Sequence, residues 1–162
     1  FDDLVSRAAE RERTLRAPFS VYIHGDFNID NVLYDDGDRR ISFIDLHRSR
    51  YMDYVQDISV FMVSNYRLQV LDAKTRERIL QVVSGIHDIA RAFAKRSGDT
   101  TFEIRLALGL ARSFATSTRF ILDKSLATGM FLRARYLIEK VLATPPEQSE
   151  AFRVPVTELF RG

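Results

Sequence analysis

Asp26, Asn31, Asp45 and Asp57 are the residues whose types and spacing could do chemistry. Asp26 and Asn31 stand five apart in VYIHGDFNIDNVLY, residues 21–34, where a polar stretch separates two apolar runs. Asp45 follows at the end of ISFID. If that segment returns along the run before it, Asp45 comes close to Asn31 and to the loop holding Asp26. An amide oxygen and a carboxylate facing one space form a hard, oxygen-rich site. Such a site suits Mg2+ or Mn2+, which keep several waters and take further oxygens from phosphates. Asp26, a further carboxylate nearby that need not be a ligand, could accept a proton from a hydroxyl.

Several elements must position these groups. Residues 2–15 pattern as an amphipathic helix closed by Pro18, and SVYI reads as a short strand. NVLYDDGDRRISFID reads as two strands around an Asp36-Gly37 turn. Beyond residue 52, apolar residues recur at helical spacing over 53–71, 73–97, 101–123 and 125–143. Pro145 and Pro146 end the fourth of these, and a last short helix is expected over 147–160. A little β structure followed by a run of helices predicts an α+β chain, mostly α, with a small hairpin packed on a helical bundle.

The composition narrows the class. The 162 residues suit one domain, and 46% apolar content allows a sizeable core. The net charge of +2 is too weak to imply nucleic acid. The absence of Cys excludes disulfides and thiolate metal sites. No apolar run reaches the roughly 18 residues of a membrane span. FDDLVSRAAERERTLR has no signal-peptide core. A cytoplasmic protein with no membrane partner is the expectation.

HGDFNIDN has the form H-G-D-x-x-x-x-N, IDL follows at Asp45, and MDYVQDI carries Asp53 and Asp57 four apart. The set resembles the aminoglycoside phosphotransferase and choline kinase family of protein-kinase-like enzymes. In that family the last motif is commonly G-D-x-x-x-D-L; here Met52 replaces the Gly and Ile58 the Leu. The resemblance implies an ATP- or GTP-dependent kinase acting on a small hydroxyl-bearing substrate. It implies Asp26 as catalytic base and Asn31 and Asp45 as ligands of Mg2+ or Mn2+. His24 would support the loop from beneath, Asp57 would brace it by accepting backbone N–H groups, and Asp53 would suit a helix N-cap. The family often has His two residues after the catalytic Asp; Asn28 stands there and is expected to approach the transferring phosphate.

The resemblance covers a C-terminal lobe only, with a catalytic loop over 24–31, a metal loop over 45–53 and a helical region over 53–162. The family's nucleotide lobe carries a glycine-rich loop and a Lys, yet no Gly precedes Gly25 and no Lys precedes Lys74. The chain is therefore expected to be one lobe of a longer kinase, partnered by its own N-terminal nucleotide-binding lobe and inactive without it.

Plainer readings apply to other residues. Asp30, Asp35, Asp36 and Asp38 suit turns and solvent. His47 is expected on a loop surface, and His87 in mid-helix carries no functional assignment. Arg105, Arg112 and Arg119 recur every seven residues and read as a solvated face, with an anionic substrate as the sharper alternative. Phe93, Phe102, Phe114, Phe120 and Phe131 read as core. Two rival functions differ in class. A non-catalytic kinase-like scaffold would normally lose one of Asp26, Asn31 and Asp45. A metal-dependent phosphodiesterase would share G-D-F-N, but its fold is a β-sandwich and its late S-D-H motif is missing here.

Overall fold

A computed structural model describes residues 2–70 and 72–161. The chain begins with helix α1 (Asp2–Thr14) and strand β1 (Val21–Ile23). The hairpin follows as β2 (Val32–Asp35) and β3 (Arg40–Phe43), then β4 (Arg50–Met52). Helices α2 (Val55–Tyr66), α3 (Ala73–Arg96), α4 (Phe102–Ser117), α5 (Lys124–Ala143) and α6 (Val156–Phe160) complete it. The architecture is α+β and mostly helical, as the pattern predicts. None of these helices is long and apolar enough to cross a membrane.

α4 is the axis of the bundle. Its apolar residues face all round, so it must be covered on every side. Phe102, Ile104, Leu106, Leu110 and Phe114 are fully buried among α2, α3 and α5. Burying each such side chain contributes about 1.5–3 kcal/mol. Gly109 brings α2 close, because a Cβ there would lie 3.0 Å from Val55 Cγ1 and 3.1 Å from Ser59 Oγ. α3 and α5 begin at Asp72 and Asp123, whose carboxylates accept the N–H groups of Thr75 and Leu126.

The β structure forms two separate antiparallel pairs. β2 and β3 pair with Val32 opposite Phe43 and Asp35 opposite Arg40. Asp36 and Gly37 make the turn, and Arg39 takes a left-handed φ of 50° to close it. β1 pairs with β4, Val21 opposite Met52 and Ile23 opposite Arg50. That pairing returns the segment after Asp45 to the strand before His24, so both polar loops emerge at one place. β4 was not expected, since three residues are too few to show a period.

Several boundaries differ from the sequence expectation. The helix expected over 53–71 starts at Val55 and ends at Tyr66, and Leu71 lies outside the described residues, as do Phe1 and Gly162. Arg76 reaches back to accept the role of cap, donating to the carbonyls of Tyr66, Leu68 and Val70. The helix over 101–123 ends at Ser117 and tightens into a 3-10 turn, Thr118–Phe120. The last helix is split into a 3-10 segment, Pro146–Ala151, and α6, because Pro155 cannot donate to a continuous ladder.

Two surface assignments are corrected. Arg105 is buried, not solvated: its guanidinium pairs with Asp53 and Asp99, and the Tyr54 hydroxyl donates to Asp99 at 2.7 Å. Burial pulls the Arg105 pKa down, but the two carboxylates more than offset it and leave it raised. This cluster pins α4 to the β4–α2 junction. Phe120 and Phe131 are exposed, at 62% and 37%, so the aromatic series is core only in part.

Candidate active site

The segment 24–31 leaves β1 at Ile23 and turns sharply at Gly25. Gly25 has a φ of +86°, and a Cβ there would overlap the Arg48 carbonyl, 2.7 Å from its carbon. Only glycine satisfies both conditions. The N–H groups of His24 and Gly25 then point at α2. There the two Asp57 carboxylate oxygens accept them, at 2.7 and 3.0 Å. Burial pushes the Asp57 carboxyl up, the two N–H groups hold it down, and burial prevails. His24 lies inside the turn, with Nε2 at 2.9 Å from the Ile44 carbonyl and Nδ1 accepting from the Asp26 N–H at 3.3 Å.

Asp26 sits at the head of this turn, its side chain 28% exposed. One carboxylate oxygen accepts from Asn28 Nδ2 at 3.2 Å, and the other faces Arg48 Nη1 at 3.2 Å. Its backbone carbonyl accepts from the Asn28 N–H at 2.8 Å and from Asn31 Nδ2 at 2.9 Å. Asn28 caps the 3-10 turn Ile29–Asn31, its Oδ1 accepting the Asp30 N–H. Both ends of the Asn28 amide are thus used within the loop. The turn is anchored below by Ser64 Oγ, which accepts the Ile29 N–H at 2.9 Å, and by Phe27 stacked on Phe61. Asp30 is exposed and paired with Arg67.

Asn31 and Asp45 come together through the hairpin. The Asn31 carbonyl accepts the Ile44 N–H at 3.1 Å, which sets Asp45 one residue beyond the end of the ladder. Asn31 is buried; with its Nδ2 committed to Asp26, its Oδ1 has no hydrogen-bond partner among the described residues. Asp45 has a left-handed φ of 61°, which Asp tolerates better than most residues and which recurs at functional positions. One of its oxygens pairs with His47 Nδ1, leaving the other free. One free oxygen from each residue is a two-donor set of the kind Mg2+ or Mn2+ accepts beside waters and phosphates. Among the described residues, no group of three or more His, Cys, Asp or Glu could hold a metal ion.

Arg48 was not singled out from the sequence, yet it joins the two loops. It meets Asp26 through Nη1 and donates from Nε to His47 Nε2 at 3.3 Å. With Nε2 accepting, the His47 proton lies on Nδ1, toward Asp45. An ion pair and two hydrogen bonds therefore join Asp26, Arg48, His47 and Asp45 in one row. The available signal was a basic residue three positions after Asp45 in a loop rich in carboxylates. Asp53 serves two neighbours, accepting the Val55 N–H at 3.0 Å at the start of α2 and pairing with Arg105, while Tyr54 holds the cap position itself.

Asp26 opens onto a cleft of about 700 Å3, walled by one face of α2, the end of α4 and the Thr118–Phe120 turn. Neither Asn31 nor Asp45 lines it. Away from these loops, His87 is buried against Glu103, whose carboxylate also accepts the Val154 N–H at 3.0 Å. Burial drives the Glu103 pKa up, but the His87 and Val154 hydrogen bonds outweigh it and leave it below the usual value.

No curated protein and no solved structure matches the chain. The model of one family does, described as the phosphotransferase enzyme family, over residues 2–93. That match covers more than half of the 162 residues and runs through both polar loops and α2. The loops gathered at the hairpin thus lie within the matched segment, and the chain belongs to the phosphotransferase enzyme family.

Proposed function

We propose that the protein is a small-molecule kinase that moves the γ-phosphoryl group of ATP or GTP to a substrate hydroxyl. The observation that supports this most is the position of Asp26. Its carboxylate is fixed by Asn28 and Arg48 at the mouth of a ligand-sized cleft, on the loop whose backbone carbonyl also holds the Asn31 amide. An acceptor hydroxyl in the cleft gives its proton to Asp26 as its oxygen bonds to the γ-phosphorus. The bond to the β-bridging oxygen breaks, and the nucleoside diphosphate leaves. Arg48 keeps the Asp26 carboxylate aimed. Asn31 and Asp45 would hold Mg2+ or Mn2+, which supplies positive charge against the phosphate oxygens. Asn28 borders the same space from within the loop. His24 and Asp57 support the loop and touch no substrate.

The donor nucleotide belongs on the hairpin side. Tyr34, Ile41 and Phe43 leave one hairpin face apolar and exposed, and Leu33 is exposed on the other, which suits a covering nucleotide-binding lobe and a base. On this reading the chain is the acceptor and metal side of the enzyme and acts together with such a lobe.

In the full-length protein, Asp26→Ala lowers turnover by about 10^2–10^4-fold while nucleotide binding persists. Wild-type turnover in the purified variant overturns the assignment. Asp45→Ala abolishes the Mg2+ dependence of nucleotide binding, read by calorimetry with and without the metal.

A further inference from the structure

The cleft beside Asp26 carries information about the acceptor. Its charged side chains are Asp26, Arg48, Arg67 and Arg119, three cations against one carboxylate. Their pairing is unequal. Arg48 is matched by Asp26 at 3.2 Å. Arg67 is matched by Asp30, which lies outside the cleft and is largely exposed. Arg119 has no carboxylate within ion-pair distance among the described residues, and its guanidinium rests over the Phe120 ring at 4.6 Å. The ring holds the cation in place without neutralising it. Thr116, Ser117 and Gln69 line the same wall with neutral hydrogen-bonding groups. Neither Asn31 nor Asp45 lines the cleft, so the unmatched charge does not lie with the expected metal pair.

We infer that this cleft takes an anionic hydroxyl compound, one bearing a carboxylate or phosphate, with Arg119 and Arg67 meeting the negative group and Asp26 meeting the hydroxyl. The inference rests on the kinase reading for the role of Asp26, but the cation set stands without it. A guanidinium suits either anion, since its planar fork matches both. A polycation such as an aminoglycoside is disfavoured, because the one carboxylate lining the cleft is already paired.

Two matched series test this on the full-length protein with Mg2+ and a non-hydrolysable ATP analogue. One is glycerol, glycerate, glycerophosphate and aminopropanediol; the other is glucose, gluconate, glucose phosphate and glucosamine. Calorimetry is expected to give the anionic members about tenfold tighter binding than their neutral partners. The carboxylate and phosphate arms distinguish the two anions. Arg119→Glu should remove that advantage and Arg119→Lys should keep most of it; Arg119 is exposed, so neither change threatens the fold. The inference is overturned if no anionic member outbinds its neutral partner, if Arg119→Glu leaves the ranking intact, or if the anions compete with the nucleotide analogue. ADP release from ATP separates the two readings. Arg119-dependent anion binding without phosphorylation of any member sinks the kinase reading and leaves the cleft assignment standing. Phosphorylation of an amine-bearing member, indifferent to Arg119→Glu, does the reverse.

Discussion

At the scale of single residues, the site depends on groups with no chemistry of their own. Gly25 allows the loop to pass against the Arg48 carbonyl, so Gly25→Ala must move one backbone or the other. We expect it to cost at least about 1–2 kcal/mol from the positive φ alone. Turnover should fall further than stability, because Asp26 follows directly; urea midpoints and initial rates measured on one preparation separate the two effects. Asp26, Asn31, Asp45 and Asp57 could be picked out in the sequence because their spacing is independent of packing. Arg48 could not, because its value lies in bridging Asp26 to His47 across two loops, and no local pattern announces a bridge. Arg105 misled for a similar reason. Its seven-residue spacing with Arg112 and Arg119 looks like a face, but Asp53 and Asp99 approach from other elements and bury it.

At the scale of elements, α2 positions the loop and α4 positions α2. The helices showed in the sequence through their apolar period, and the hairpin through Asp36-Gly37. Their ends did not, because Arg76, Pro155 and the 3-10 turns decide them through side-chain and chain-closure effects. The segment after α5 illustrates this, being held by Glu103 rather than by its own helical pattern. Glu103→Gln keeps the shape but loses the charge that His87 and the Val154 N–H meet, and should destabilise by about 1–3 kcal/mol at neutral pH. Its folded pKa lies below the ordinary 4.5, so on acidification the unfolded chain takes up the proton first. The Glu103 contribution is therefore present above about pH 4.5 and lost as pH falls through the folded value. Urea midpoints of wild type and variant should stand apart at pH 7 and converge as pH falls below 4.5; a gap that widens in acid contradicts the charge argument.

At the scale of the whole molecule, the helical body is closed around α4 while the hairpin packed on it keeps apolar side chains exposed. Tyr34 and Ile41, opposite one another across the hairpin, are 60% and 58% exposed. Tyr34→Lys with Ile41→Lys should change stability by less than about 0.5 kcal/mol per site. In the full-length protein the same pair should weaken nucleotide binding measurably; unchanged affinity would remove the hairpin from the donor side. The Asp57 fork has a further consequence at this scale. It joins the turn after β1 to a helix 32 and 33 positions later, so neither backbone hydrogen bond exists until α2 has docked. The amides of His24 and Gly25 are thus natural clocks for assembly of the site. Their hydrogen exchange should follow the opening of α2 rather than fraying of the loop, and an Asp57→Ala chain should exchange both while α4 stays protected.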